Sequence, residues 1–178
     1  GRKVAVQGVG HVGADVVRKL RRDGAEVLIA DIAKSQVEAL ADETGAVPVS
    51  VDEILFREVD VVSPNALGGI INRDSVPKLA CKIVAGGANN QLMTPDVGEA
   101  LKNRGILYAP DYVINGGGII NVAAEISGSY ERSWANAKLD RLVETLQEVF
   151  DRANAEGRAT NLIADEMARA RIATGRSK

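Results

Sequence analysis

The chain has 178 residues, 46% hydrophobic and 26% charged, with a net charge of −2. That length suits one domain, or a domain with an appendage, and that apolar share excludes a disordered chain. The slightly acidic balance gives no electrostatic basis for nucleic acid, and the lone Cys81 excludes an intramolecular disulfide. No apolar run approaches the roughly 20 residues of a membrane span. No signal peptide is expected ahead of the first strand. A soluble, cytoplasmic protein without a membrane partner is the expectation.

The first element is a strand over 3–8, entered almost at once after Gly1-Arg2. Such an abrupt start is expected of an excised or a minimal domain. The strand runs into Gly8-Val9-Gly10-His11-Val12-Gly13 and a helix over 11–22, with Val12, Val16, Val17 and Leu20 at helical spacing and Gly24 as its C-terminal cap. A second strand over 26–31 closes on Asp31, 23 residues after Gly8. Strand, glycine turn, helix, strand and carboxylate in that order describe a dinucleotide site. Gly8 allows the tight turn, Gly10 lets the backbone approach a pyrophosphate, and Gly13 lets the helix pack closely on the strand. The helix N-terminus turns its unpaired N–H groups toward the phosphates.

The pattern continues with helices at 34–44, 73–80 and 94–103, strands at 59–63, 82–86 and 106–109, and a weak strand near 47–50. Strands alternating with helices imply parallel strands and right-handed crossovers, and the short all-apolar strands imply helices on both faces. The expected fold is a Rossmann-type α/β open, mostly parallel sheet with a C-terminal helical extension. Its core spans 1–115 and its extension 116–178.

After Gly116-Gly117-Gly118 a helix over 119–126 is apolar on a wide face, and Gly128 is expected to interrupt it. Leu139, Leu142, Val143, Leu146, Val149, Phe150 and Ala153 then form the stripe of a long amphipathic helix that Gly157 ends. Thr160 or Asn161 caps a last helix through about residue 172, with Asp165 and Glu166 in its first turn. The stripe is expected to pack on the sheet. Any part left exposed would face an absent partner domain or form a homodimer.

Four loops follow carboxyl ends of predicted strands: Gly8–Gly13, Asn65-Ala66-Leu67-Gly68-Gly69, Gly86-Gly87-Ala88-Asn89-Asn90 and Asn115-Gly116-Gly117-Gly118. In a parallel sheet those ends share one edge, where ligands bind. Glycine permits close approach, and asparagine offers donor and acceptor without charge, matching a carboxamide and ribose hydroxyls. Asp31 would accept from adenosine ribose hydroxyls and repel a 2′-phosphate, which favours NAD over NADP. The only histidine, His11, belongs beside the phosphates and in solvent, away from any substrate. Asp111 reads as a turn acid. No metal-ligand spacing and no Walker lysine occur. Lys3, Lys19, Lys34, Lys78, Lys82, Lys102 and Lys138 all lie outside the glycine loops, so no catalytic residue is assigned to this chain.

Together, Val6–Gly13, Ala66–Gly69, Val84–Leu92 and Ile106–Gly118 resemble the nucleotide-binding domain of the glutamate/leucine/phenylalanine/valine dehydrogenases, over essentially the whole chain. The resemblance implies NAD-dependent oxidative deamination of an L-amino acid to a 2-oxo acid and ammonia. It places Gly8, Gly10, His11, Val12, Gly13, Asp31, Ile32, Asn65, Ala66, Leu67, Gly87, Ala88, Asn89 and Asn115 along the cofactor, and Asn90, Ile119 and Val122 beside the substrate. Two positions depart from the family's usual pattern. Asn65 stands where cysteine is frequent, so altered cofactor contacts are expected there, and Gly116 stands where alanine is frequent. The resemblance also implies an amino-terminal domain, with catalytic lysines, an aspartate and most of the substrate pocket, which is expected to be missing from this sequence. The expected behaviour is NAD binding without appreciable catalysis. Another reading is a stand-alone nucleotide-binding or dimerising scaffold module with no enzymatic role. A third is a different dehydrogenase that also lacks its substrate domain; the Asn89-Asn90 and Ala109–Tyr112 loops speak against it.

Overall fold

The computed structural model describes residues 1–126 and 132–175; the expected interruption at Gly128 lies outside them. Six strands, β1 (Lys3–Gln7), β2 (Glu26–Ala30), β3 (Val47–Pro48), β4 (Val61–Pro64), β5 (Ile83–Val84) and β6 (Leu107–Tyr108), form one sheet in the order β3-β2-β1-β4-β5-β6. Every neighbouring pair is parallel, with Val4 beside both Val27 and Val61. This is the expected Rossmann-type α/β arrangement. The strand order reverses between β1 and β4, the place where such sheets open a ligand crevice.

Alternation along the strands divides the core between two faces. Val4, Val6, Val27 and Ile29 pack under α1 (His11–Arg22) and α2 (Lys34–Thr44), meeting Val17, Val37 and Leu40. Ala5, Ala30 and Val62 pack against Ile54, in a 3₁₀ turn over Ile54–Phe56. Fully enclosing side chains such as Ile29, Val17 and Ile54 contributes about 1.5–3 kcal/mol each. Val84 and Tyr108 meet Val97 and Leu101 of α3 (Val97–Asn103).

Several expected elements shift. The helix over 73–80 is a single 3₁₀ turn, Val76–Lys78, because Pro77 lacks an N–H and restricts Val76, while Asn72 and Ser75 side chains bond the local backbone instead. Pro95 likewise delays α3 to Val97. The strand over 59–63 moves to Val61–Pro64, and those near 82–86 and 106–109 shrink to two residues each. Gly24 at φ 83° and Gly157 at φ 62° take the left-handed conformations expected past helix ends.

The remaining helices are α4 (Asp111–Ile114), α5 (Gly117–Ile126), α6 (Arg132–Glu156) and α7 (Thr160–Gly175). The long apolar stripe does not pack on the sheet. Val149 and Ala153 of α6 pack with Ile163, Ala164 and Met167 of α7 and Val113 of α4, while Leu139 and Val143 are exposed. The reason is α7, which occupies the place beside β6. Thr160 Oγ1 donates to the Tyr108 carbonyl, Asn161 Nδ2 donates to the Pro95 carbonyl, and the Ala159 N–H donates to Glu99. Thr160 and Asn161 therefore anchor the helix rather than cap it. Asp165 and Glu166 fall beyond its first turn: Asp165 accepts from the Tyr112 hydroxyl, and Glu166 pairs with both Arg152 and Arg158.

The amino-terminal edge of the sheet is fastened by Asp60, which accepts from Lys82 Nζ at 2.8 Å and the Lys3 N–H at 3.0 Å. Lys82 first, then the Lys3 N–H, lowers its pKa from 3.8 to about 2. A depressed carboxyl pKa stabilises the fold above its unfolded value and loses that contribution as pH falls through the folded value. Thermal melts of the wild type and Asp60→Asn are therefore expected to diverge above pH 3.8 and converge toward pH 2.

Candidate functional site: the carboxyl edge of the sheet

The glycine turn after β1 separates what the fold requires from what a ligand requires. Gly8 has φ 92°, and a Cβ there would lie 2.7 Å from the Ala66 nitrogen. A Cβ on Gly13 would lie 1.9 Å from the Gly8 carbonyl oxygen. Both positions exclude a side chain for internal reasons. Gly10 differs: its φ of −63° suits any residue, and a Cβ there would meet nothing within 4 Å. Glycine at that point leaves open space in front of α1. No side chain caps α1, and no acidic residue stands in its first turn, so the helix itself supplies nothing to cap its positive end.

Asp31, just past β2, faces this turn. Its Oδ2 accepts from the Val9 N–H at 2.8 Å and its Oδ1 from the Ala33 N–H at 3.0 Å. Those two amides, Ala33 foremost, hold its carboxyl below the usual carboxylate range. Each oxygen keeps a further lone pair, so Asp31 both fixes the turn and stays an acceptor.

The other loops are tied to this turn and to each other. The Asn65 N–H donates to the Gln7 carbonyl at 2.6 Å. The Asn65 side chain points inward: Nδ2 donates to Ser63, and Oδ1 accepts from the Gly87 N–H at 2.9 Å. Its altered chemistry thus goes into joining the loops after β4 and β5. Fully buried Gln91, which sequence reasoning passed over, donates from Nε2 to the Gly86 and Ala88 carbonyls and shapes the second of those loops from inside. Asn115 Nδ2 donates to Asn89 Oδ1 at 2.6 Å. Asp111 is the turn acid expected, in the first turn of α4, but its side chain faces inward. It is buried, accepting from the Asn90 N–H at 2.7 Å and the Tyr108 hydroxyl at 2.6 Å.

All four loops named from the sequence thus meet on one edge. Apolar side chains stand uncovered along them: Ile32 is 89% exposed, Leu67 72%, Val12 60%, Ile119 78% and Val122 53%. Val12 consequently leaves the apolar stripe of α1, whose buried members are Gly13 and Val17. His11 is exposed at the first position of α1. No lysine among the described residues enters these loops, and Lys3 and Lys82 lie at the opposite end of the sheet with Asp60. No helix among the described residues is long and apolar enough to cross a membrane.

A model of the Glutamate/Leucine/Phenylalanine/Valine dehydrogenase family matches residues 28–174. The chain belongs to that family. It is 45% identical to a leucine dehydrogenase from Thermoactinomyces intermedius, over 97% of this chain and 47% of that protein. It is 42% identical to a valine dehydrogenase from Streptomyces virginiae, over 99% of this chain and 50% of that protein. The crystal structure of L-tryptophan dehydrogenase from Nostoc punctiforme superposes with a TM-score of 0.94 at 39% identity, covering 98% of this chain and 53% of that one. This dehydrogenase-family chain therefore spans about half the length of the curated relatives it matches.

Proposed function

We propose that the chain is the NAD-binding part of a dehydrogenase that converts an apolar L-amino acid to its 2-oxo acid and ammonia. In this reading residues 1–115 form the dinucleotide-binding core, and the helices of 116–178 lie against it. The observation that carries the reading is the turn in which Gly8 and Gly13 are required by the protein and Gly10 is not. An unforced glycine before an uncapped helix end fits a ligand phosphate that needs the space and the N–H groups.

The residues divide along the edge. The turn Gly8–Gly13, with the amides of His11 and Val12, would take the diphosphate. Asp31, charged and acceptor-only, would take the adenosine ribose and repel a 2′-phosphate, with Ile32 beside it. Asn65, Ala66 and Leu67 would follow the cofactor, Asn65 through its latch on Gly87. Gly87, Ala88, Asn89 and Asn115 would border the nicotinamide end, with Asn90, Ile119 and Val122 toward the amino acid. Once bound, NAD supplies the acceptor for the hydride leaving the substrate's α-carbon. With no lysine in the loops, the chain would bind NAD but need the partner domain of the parent enzyme for turnover.

Calorimetry with NAD, together with an assay for NADH formation from leucine or valine, tests this reading. One saturable site and no turnover is the expected result. No heat and no thermal shift at millimolar NAD would contradict it.

A further inference from the structure

Asp111 closes a ring that no single loop could form. Its carboxylate accepts from the Asn90 N–H at 2.7 Å, and its carbonyl accepts from the Asn115 N–H at 2.9 Å. Asn115 Nδ2 in turn donates to Asn89 Oδ1 at 2.6 Å. One buried residue thereby joins the two asparagine loops, after β5 and after α4. Asn90 is the one non-glycine residue with positive φ, 53°, among the described residues. Its main chain is held from both sides, the N–H by Asp111 and the carbonyl by the Gly69 N–H at 2.7 Å. The Asn89 and Asn90 side chains meanwhile stay exposed at the edge. The backbone is fixed and the amides are presented.

The carboxylate is itself oriented. Tyr108 donates its hydroxyl to Oδ1 and accepts the Asp111 N–H at 3.2 Å. Among the described residues no cation pairs with Asp111, although the side chain is buried. An enclosed carboxylate without a cation is a costly element for a fold to keep if a neutral side chain served as well.

We propose that Asp111, oriented by Tyr108, is a positioning residue that sets the amides of Asn89, Asn90 and Asn115 for the nicotinamide end of the cofactor. This rests on the reading of the edge as an NAD site. The role is local to one end of the ligand, and that gives it a signature a merely structural role lacks. ADP-ribose keeps both phosphates and both riboses of NAD but has no nicotinamide. Weakening Asp111 should therefore lower affinity for NAD and spare ADP-ribose.

Calorimetric titration of the chain with both ligands provides the test. The wild type should bind NAD more tightly than ADP-ribose. Asp111→Ala, losing two hydrogen bonds to a charged acceptor, should cut that preference about tenfold while leaving ADP-ribose within about twofold. Asp111→Asn, which retains an acceptor for the Asn90 N–H, should restore most of it. Should the alanine variant not fold, Tyr108→Phe decides, with an expected drop in preference of about threefold. Equal losses for both ligands, an unchanged ratio in Tyr108→Phe, or a wild type without preference for NAD would overturn the positioning role. A wild type that binds neither ligand would overturn the functional reading along with it.

Discussion

Replacing Gly10 by valine is expected to weaken NAD binding by at least about 100-fold while moving stability by no more than about 1 kcal/mol. The two halves of this expectation have separate causes. The backbone at Gly10 is already extended, φ −63° and ψ −166°, and its negative φ does not require glycine. A Cβ there meets no protein atom within 4 Å, so the fold has no reason to object. The small loss of N-cap preference is offset by the reduced freedom of the unfolded chain. The branched side chain would instead fill the space in front of the first turn of α1, where under the proposed function a diphosphate would come within hydrogen-bonding distance of main-chain N–H groups. Calorimetry and a thermal melt on the same sample measure both halves. A valine variant that binds NAD normally would mean the phosphates lie elsewhere.

Gly13→Ala should behave in the opposite way. Its Cβ would sit 1.9 Å from the Gly8 carbonyl oxygen, a backbone atom that cannot rotate aside. Either α1 must move away from β1 or the turn must open, and both disturb the core around Val6, Val17 and Ile29. A loss of about 3 kcal/mol or more follows from such overpacking, which for a chain of this size lowers Tm by roughly 6–12 °C. Binding would weaken secondarily, through a damaged turn. Two glycines three residues apart thus separate affinity from stability. If Gly13→Ala melted like the wild type, the close packing of α1 on the turn would be wrong.

The periodic elements were legible because their signals are local. The helices at 11–22 and 34–44 coincide with the observed spans, since apolar spacing and the glycines beyond their ends act within a few residues. The edge location of the first three loops followed from strand and helix alternation, because parallel strands put every carboxyl end on one side; the fourth, expected directly after a strand, instead follows α4 and joins the edge through the Asn115–Asn89 bond. What could not be read was which polar side chains face inward. Asn65 meets Gly87 across 22 positions, and Asp111 meets Asn90 across 21. No local pattern distinguishes such an inward amide or carboxylate from one that faces a ligand. The packing partner of the α6 stripe is hidden from the sequence for a related reason. Apolar spacing identifies a buried face but not its partner, and α7 reaches β6 first through Thr160. The helix over 73–80 failed on Pro77, whose effect outweighs the apolar positions around it.

The most direct test is a crystal structure of the chain with NAD. The diphosphate is expected against the first turn of α1, its oxygens accepting from the His11 and Val12 N–H groups, with the adenosine ribose on Asp31 and the carboxamide toward Asn89 and Asn115. NAD lying elsewhere, such as in the groove lined by Leu142, Thr145, Glu148 and Arg171, with the space before Gly10 filled only by solvent, would contradict that expectation.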